Sequence, residues 1–308
     1  MLCTLAAPFG PAAPCAGGAV VARVRGRCAE GCLRTILITG CSSGIGLDAA
    51  RTLMARGWRV FATCRAAEDA AALDAAGLES WALDLASEAS VADGAAEALR
   101  RGGGRLDALF NNGAFAIPGA TEDLPRAAMR EIFETNLFGQ LDLTNRVLPA
   151  MRAAGAGRVV MNSSVLGFVA LPWRGAYVAT KFALEGLTDA LRLELRGTGV
   201  HVVTIEPGPI GTPFRSKSVP RFEKWIDWRA SPHREAYETT LMKRLYAPEG
   251  AAKGRFELPA SAVTAKLVRA LESQRPAPRY RVTTATHIMA GLTRALPTRA
   301  LDALAARL

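Results

Sequence analysis

A short apolar run that leads through a glycine-rich turn into a helical segment constrains the fold most. Thr35 to Thr39 is apolar and β-branched, Gly40 to Gly46 holds three glycines, and Leu47 to Met54 is typical of a helix. Glycine lets the backbone approach a phosphate, and the free N–H groups of a first helical turn favour negative charge. Many tight turns contain glycines, but one placed between a strand and a helix predicts a dinucleotide-binding βαβ unit.

Further apolar runs alternate with helical segments along the chain. The chain has 308 residues, 50% of them hydrophobic, which is enough for one α/β domain with a large core. The alternation predicts a doubly wound parallel sheet of the Rossmann type in a single domain at 34–284. Strands are expected at about 34–39, 59–64, 79–84, 106–110, 158–163, 200–205 and 280–284, with long helices at about 127–151 and 175–195.

Tyr177 and Lys181 are four positions apart, which in a helix places both on one face with Cβ atoms ~5–6 Å apart. Free tyrosine has a pKa near ~10, and an adjacent ammonium lowers this pKa because it favours the phenolate. The pair is therefore a candidate proton donor with its tuning group. Alternatively, the two side chains are simply exposed on an amphipathic helix, which is the commoner case for an isolated Y-x-x-x-K.

Ser164 lies thirteen residues before Tyr177 and follows the apolar run Arg158 to Asn162. Such a run predicts a buried parallel strand, and the carboxyl ends of parallel strands are the usual place for a site. Ser164 would then hydrogen-bond the substrate oxygen with which Tyr177 exchanges a proton, while Lys181 holds the phenol near its working pKa.

Several motifs follow one another in a fixed order between about residue 34 and residue 212. They are T-G-x-x-x-G-x-G from Thr39, N-N-G-A from Asn111, N-L-F-G from Asn136, the Ser164 to Tyr177 to Lys181 spacing, and P-G-P-I-G-T from Pro207. In this combination the chain resembles the short-chain dehydrogenase/reductase family. Arg174 to Leu187 and Glu206 to Pro209 resemble the branch related to 17β-hydroxysteroid and retinol dehydrogenases.

The resemblance implies an active-site tetrad of Asn136, Ser164, Tyr177 and Lys181. It implies that Asn136 kinks its helix and orders a water that links Lys181 to solvent, and that Lys181 also binds the nicotinamide ribose. The implied cofactor contacts, including the glycine turn, are Gly40, Ser42, Ser43, Gly44, Ile45, Gly46, Arg65, Asp84, Leu85, Asn111, Gly113, Tyr177, Lys181, Pro207, Gly208, Ile210 and Thr212.

For two of these residues the resemblance implies which part of the cofactor they contact. Asp84 would contact the adenine ring, although it could also cap the next helix, for which Ser87 is an alternative. Thr212 would lie near the nicotinamide carboxamide. The usual N-N-A-G of the family appears here with its last two residues exchanged, as Gly113 and Ala114.

The end of the second predicted strand bears on the choice of cofactor. Cys64 and Arg65 stand there, with no carboxylate before Glu68. An acidic residue at this place accepts from the ribose 2′-hydroxyl of NAD, whereas an arginine accommodates the 2′-phosphate of NADP. We therefore predict NADP(H). Alternatively, Arg65 is an ordinary surface arginine at the start of the next helix.

Residues 1–33 show no periodic pattern and hold four of the six cysteines. Cys28 and Cys32 lack a second ligand pair for zinc, and we expect neither a metal site nor a disulfide framework. The segment lacks the basic start and unbroken apolar run of a secretory signal, and no apolar run in the chain reaches the ~18 residues of a membrane span. We expect a disordered extension, or a start codon assigned too far upstream, and a cytoplasmic protein.

Two segments towards the carboxyl end are expected to cover the site. A lid at about 213–256 is rich in aromatic residues, which suggests a small hydrophobic alcohol or carbonyl substrate; alternatively these residues only pack the lid onto the sheet. The tail at 285–308 is predicted as an amphipathic helix, with apolar positions at Ile288, Met289, Leu292, Leu296, Leu301, Leu304 and Leu308. It would cover the domain's own cleft, a neighbouring subunit or an anionic membrane surface.

The sequence features suggest three classes of function. The predicted one is NADP(H)-dependent oxidoreduction, with hydride moving between the nicotinamide and the carbon of a primary or secondary alcohol, aldehyde or ketone, and Tyr177 handling the proton. Within this class a 3-oxoacyl-carrier-protein reductase is an alternative. The second class is a non-catalytic NADP-binding regulator, and the third is a nucleic-acid binder. The net charge of +10 is spread and weighted to the tail, without a base-reading module, which argues against nucleic acid. The family resemblance also implies a homo-oligomer formed through the two long helices.

Overall fold

A parallel sheet forms the centre of the protein. The computed structural model describes residues 33–248 and 256–307. Its strands are β1 (Thr35–Thr39), β2 (Arg59–Cys64), β3 (Glu79–Ala82), β4 (Ala108–Asn111), β5 (Gly157–Asn162), β6 (Val200–Glu206), β7 (Ile210–Gly211), β8 (Leu258–Pro259) and β9 (Arg279–Arg281). Seven of these described strands form one sheet of order β3-β2-β1-β4-β5-β6-β9, and β7 pairs with β8. The strand order reverses between β1 and β4, which confirms the doubly wound fold and marks the usual ligand crevice.

Helices cover both faces of this sheet. They are α1 (Gly44–Ala55), α2 (Ala67–Ala75), α3 (Glu88–Arg101), α4 (Arg126–Phe133), α5 (Gly139–Ala153), α6 (Gly175–Glu194), α7 (Val219–Trp225), α8 (Arg234–Ala236), α9 (Met242–Leu245), α10 (Ala260–Glu272), α11 (Thr284–Ala295) and α12 (Thr298–Ala305). The helix predicted at about 127–151 is divided by a π-helical turn at Glu134–Phe138. The helix predicted at about 175–195 is α6.

The central strand β1 shows why an apolar run predicted a strand buried on both faces. All five of its residues are buried. Ile36 and Ile38 belong to a core that includes α1 and α10, whereas Leu37 belongs to the core on the opposite face, with α3, α5 and α6. Successive side chains of a strand point to opposite faces, so a strand covered by helices on both sides is apolar throughout.

A third core lies beneath the predicted lid. Phe222, Ile226 and Tyr237 of the lid pack there against Ile117 and Ile132. The packing alternative is thus correct for Phe222 and Tyr237, which are buried, whereas Phe214, Tyr246 and Phe256 are exposed. Residues 249–255 of the predicted lid lie outside the described residues.

The predicted tail forms two helices, α11 and α12. On α11 Met289 and Ala290 are buried, while Ile288 is exposed. Helix α11 contacts the short 3₁₀ turn at Val165–Gly167, which directly follows Ser164, so the tail lies against its own domain at the site. Membrane contact through it stays a prediction; none of the described helices has the length and apolarity to cross a bilayer.

The predictions for residues 1–32, including those for four cysteines, lie outside the described residues. The other two cysteines, Cys41 and Cys64, are buried free thiols. Burial raises the pKa of Cys41 and raises that of Cys64 to about 11, so neither is a reactive thiolate. The described residues contain no group of three or more His, Cys, Asp or Glu side chains placed to hold a metal ion.

Candidate active site

Tyr177 and Ser164 meet at the carboxyl end of β5. Ser164 follows this strand in extended conformation and accepts a hydrogen bond from Leu166 N at 3.1 Å, while Tyr177 lies in the first turn of α6. Burial raises the pKa of Tyr177, and both a hydrogen bond with Ser164 and the positive charge of Arg174 oppose this rise. The phenol is thus protonated at neutral pH and near enough to Ser164 for the serine to affect its pKa.

Lys181 lies beneath Tyr177 with only 1% of its surface exposed. Its Nζ donates to Asn162 O at 2.7 Å and lies 5.5 Å from the centre of the Tyr177 ring. Burial lowers the pKa of Lys181 to about 8, and the negative charge of Glu185 opposes this change.

The role expected of Lys181 in lowering the Tyr177 pKa stays a prediction. The predicted i, i+4 proximity is present, and burial has the largest effect on the pKa of each group. The positive charge of Arg174, three residues before Tyr177, lowers the phenol pKa, and no sequence motif indicated this role.

Asn136 lies in the π-helical turn between α4 and α5 and is completely buried. Gly139 N donates to Glu134 O, so one extra residue is accommodated at this point. The Asn136 amide accepts from Phe115 N at 3.0 Å and donates to Phe115 O at 2.8 Å and Thr180 Oγ1 at 3.2 Å. Its side chain therefore ties the loop after β4 to helix α6, and the π turn provides the predicted irregularity.

The glycine turn is closely packed against the loop that follows β4. Gly40 has a positive φ of 73°, and a Cβ on it would lie 2.8 Å from Gly113 Cα. A Cβ on Gly46 would lie 2.3 Å from Gly40 O, and one on Gly44 would lie 3.2 Å from Thr212. Gly40 and Gly46 are thus required by backbone contact, and a Cβ on Gly113 would lie 3.1 Å from Leu85 Cδ1.

A hydrogen-bond network holds this loop in place. Thr39 Oγ1 accepts from Asn112 N at 3.0 Å and from Gly113 N at 2.9 Å, and Asn112 Nδ2 donates to Thr39 O at 2.9 Å. Asn162 Nδ2 donates to Asn112 Oδ1, which links the turn to β5 and to Lys181. Asn112 therefore organises the glycine turn.

Asn111, the first asparagine of this motif, faces away from the turn. It is completely buried, and its Nδ2 donates to Thr144 Oγ1 of α5 at 2.8 Å. Because β-strand side chains alternate, Asn111 at the end of β4 faces the helix and not the turn. Its side chain has a structural role, and a cofactor contact of Asn111 stays a prediction.

Helix α1 begins at Gly44 with an N-terminus that carries no side-chain cap. Its N-cap residue, Ser43, is extended, and there is no acidic residue in the first turn. The hydroxyls of Ser42 and Ser43 accept hydrogen bonds from Lys217 Nζ at 3.2 Å and 2.6 Å. Ile45 packs against the core beside the turn. Lys217 comes from the segment after β7, and no sequence motif indicated it.

The strands β2 and β3 end beside this turn. Arg65 is exposed directly after β2, and Asp84 follows β3 rather than ending it, with Oδ1 accepting from Ala86 N at 3.0 Å. Ser87, not Asp84, is the cap of helix α3. Leu85 is largely core, with 6% of its surface exposed. Burial and the charge of Arg65 lower the pKa of Arg221. Arg221 is therefore a second arginine near this end of the cleft.

The segment from Pro207 to Thr212 passes between the two halves of the site. Pro207 O accepts from Val165 N at 2.7 Å, next to Ser164, and a Cβ on Gly208 would lie 2.1 Å from Thr283 Oγ1. Ile210 lies in β7, and Thr212 faces Gly44 of the turn. The ring of Phe214 then packs edge-on against that of Tyr177 at 5.5 Å.

The sheet, the glycine turn and the group of Ser164, Tyr177 and Lys181 define a nicotinamide-dependent α/β oxidoreductase. The family model described as short chain dehydrogenase matches residues 34–222. The chain belongs to the short-chain dehydrogenase/reductase family, and it is an oxidoreductase that acts on alcohol or carbonyl groups.

Relatives and a solved structure support this assignment. The chain is 40% identical over 269 residues to the uncharacterized oxidoreductase YbbO of Escherichia coli, covering 87% of this chain and 93% of that protein. It is 38% identical over 194 residues to human retinol dehydrogenase 8, covering 60% of this chain and 61% of the relative, which confirms the resemblance to that branch. A short-chain dehydrogenase from Streptomyces avermitilis superposes with a TM-score of 0.71 at 28% identity, over 85% of this chain and 93% of that one.

Proposed function

We propose that the protein transfers hydride between NADP(H) and the carbon of a hydrophobic alcohol, aldehyde or ketone, with Tyr177 donating or accepting the proton at the substrate oxygen. The observation that carries this proposal is the meeting of Tyr177 and Ser164 beside a buried Lys181 at the carboxyl end of β5. A damaged set of these groups would favour a regulator, and all of them are in place.

The glycine turn fits the pyrophosphate of a dinucleotide. Its backbone leaves no room for a Cβ at Gly40 or Gly46, and α1 starts without a side-chain cap, so its first N–H groups are free to bind an anion. The bound nicotinamide would supply or accept the hydride.

The protein's own residues would control the proton and the orientation of the substrate. Tyr177 is held protonated by burial, ready to donate to a carbonyl oxygen during reduction. Ser164 donates a second hydrogen bond to that oxygen, which fixes the carbonyl in place. Lys181 has N–H groups beyond the one bound to Asn162 O, and one of these would hold a ribose hydroxyl of the cofactor.

The choice of NADP(H) is supported by a set of cations at the end of β2. Arg65 stands there, Arg221 of α7 is near enough for the two positive charges to repel each other, and Lys217 opposes the rise that burial and Asp69 give to the Cys64 pKa. A ribose 2′-phosphate at this position would find charge-assisted donors and no carboxylate directly after β2.

The test is a turnover assay with a panel of hydrophobic aldehydes and ketones. The measured signal is the loss of NADPH or NADH absorbance. Tyr177→Phe should lower kcat by about 10²- to 10⁴-fold because the proton donor is removed. Binding of NADPH, measured by fluorescence, controls for folding of this variant. Silence of the wild-type protein across the panel, with NADPH bound, would refute the catalytic proposal and favour a regulator.

A further inference from the structure

Arg174 is a half-buried cation beside the reactive phenol. It is the residue directly before α6 and stands three positions before Tyr177. Among the described residues its guanidinium makes no hydrogen bond and no ion pair. Burial lowers the pKa of Arg174, so the charge is held at a cost. Buried cations in proteins are normally paired, which makes this one a candidate for binding a ligand.

A second arginine, Arg244 of α9, lies near enough for its charge to act on Arg174. Its repulsion adds to the effect of burial on the Arg174 pKa. The backbone of Arg244 is fixed, because Arg215 donates to Arg244 O at 3.0 Å and to Pro248 O at 3.0 Å. The side chain of Arg244 likewise has no partner in the described part of the chain. Arg174 thus stands one helical turn before Tyr177, at the start of α6, and no described acid is paired with either arginine.

Carboxylates are present in this region, but other groups bind them. Glu122 is paired with His233, and Asp123 Oδ2 accepts from Ser231 Oγ at 2.7 Å and Tyr237 Oη at 2.7 Å. Among the described residues, neither of these two acids is bonded to Arg174.

The backbone that places Arg174 is strained and well supported. Trp173 has a φ of 64°, the one positive value at a non-glycine position among the described residues. An aromatic residue rarely adopts this conformation unless its surroundings impose it. Gly119 N donates to Trp173 O at 3.0 Å, and the Trp173 ring packs against that of Tyr237 at 5.1 Å. The backbone directly before Arg174 is thus fixed by its neighbours.

We propose that Arg174, assisted by Arg244, binds a carboxylate of the substrate while Tyr177 acts on a carbonyl or hydroxyl group of the same molecule. A guanidinium binds a carboxylate through two parallel hydrogen bonds, which orients the substrate as well as attracting it. The inference rests on the proposed function and narrows its substrate to an oxo or hydroxy acid with a hydrophobic body that the lid covers.

The experiment compares oxo acids of increasing distance between carbonyl and carboxylate with their methyl esters, in the presence of NADPH. The measured quantity is the ratio of kcat/KM for the acid to that for the ester. Wild type should prefer the acid at one of these lengths. Arg174→Gln should lower the ratio about 10- to 100-fold, the range for a lost charge-assisted hydrogen bond. Loss of the charge also changes the pKa of Tyr177, but that effect is common to both substrates and cancels in the ratio.

Two further variants sharpen the test. Arg174→Lys should retain part of the preference, since the charge stays while the planar fork is lost. Arg51→Gln removes an equal charge from the exposed face of α1 and should leave the ratio unchanged. If Arg174→Gln does not fold, the lysine variant and Arg244→Gln carry the same comparison.

An ester preferred at every length, or a ratio that Arg174→Gln does not change, would overturn this inference and leave the oxidoreductase function standing. Absence of turnover for every acid and ester with either nicotinamide would instead overturn the proposed function. The binding site would then be judged by thermal unfolding. The acid alone should raise the Tm of wild type and not that of Arg174→Gln, and an equal rise in both would refute the site.

Discussion

Lys217 gives the sharpest test of the cofactor assignment. Its Nζ donates to Ser43 Oγ at 2.6 Å and to Ser42 Oγ at 3.2 Å, directly before helix α1. It also lies close enough to affect the pKa of Cys64, which ends β2, and Arg65 follows. We predict that Lys217→Met lowers kcat/KM for NADPH about tenfold and changes that for NADH less than about threefold.

The size of this effect follows from the exposure of Lys217. A hydrogen bond to a charged group contributes about 1.5–3 kcal/mol, and a tenfold change corresponds to about 1.4 kcal/mol. Lys217 is exposed, so solvent and salt screen its charge and the lower end of the range applies. NADH lacks the 2′-phosphate and therefore lacks most of this contact.

The assay measures kcat/KM for both nicotinamides at one fixed carbonyl substrate, at low and at high salt. Lys224→Met is the matched control, because it removes a cation of the same lid that is paired with Glu131 at 2.6 Å. The NADPH preference should fall in Lys217→Met alone, and most clearly at low salt. An equal fall for NADPH and NADH would show that Lys217 serves the shared pyrophosphate or only the turn, and would refute the reasoning on specificity.

Two further predictions concern the proton relay and the quaternary state. Burial lowers the Lys181 pKa to about 8, so the ammonium dominates below that pH and kcat/KM should fall as the pH rises through it. Lys181→Arg should remove this fall, because arginine keeps its charge. A wild-type kcat/KM that stays constant well above this pH would contradict the assignment. Helices α5 and α6 carry exposed apolar side chains, among them Leu187 at 39% exposure, beside Leu141 and Leu191. Leu187→Glu should convert a homodimer into monomers in light scattering, because an interface cannot bury an unpaired carboxylate; a wild-type monomer would refute the interface.

The sequence indicated the fold well because its signals are local. The run from Thr35 through Gly40 to Met54 contains a buried strand, a turn that tolerates only glycine and an amphipathic helix, and each is decided by residues adjacent in the chain. The spacing from Ser164 to Tyr177 is likewise fixed by one strand and the start of one helix.

Contacts between segments that are distant in the chain could not be predicted from the sequence. In the sequence Arg279 is one more basic residue near the tail. In the structure its guanidinium is bound by Glu185, by Glu206 at 2.8 Å and by Asp189 at 2.5 Å. Lys217 reaches serines that precede it by 174 and 175 residues. No periodicity reports such pairs, since they depend on how the lid and the sheet pack.

The pKa of Tyr177 could not be predicted from the sequence for a related reason. Proximity of Lys181 to Tyr177 could be predicted from their spacing, but the direction of the change in the Tyr177 pKa is decided by burial, which is its largest cause. Only the packed structure shows that Arg174 supplies the opposing charge. A sequence pattern therefore identifies the reacting groups more reliably than the protonation state in which they are held.

The distribution of unpaired charge connects the two proposals. Arg279 and Arg281 near the tail are neutralised by buried carboxylates, whereas no carboxylate of the described residues is paired with Lys217 or Arg174. Lys217 lies at the glycine turn and Arg174 lies beside Tyr177, so each would meet a different anion: the phosphate of the cofactor and the carboxylate of the substrate. Their effects should then be separable: Lys217→Met should change the preference between NADPH and NADH without changing that between acid and ester, and Arg174→Gln should do the reverse. If either substitution moved both preferences together, the two cations would belong to one diffuse positive field, and neither ligand could be inferred from them.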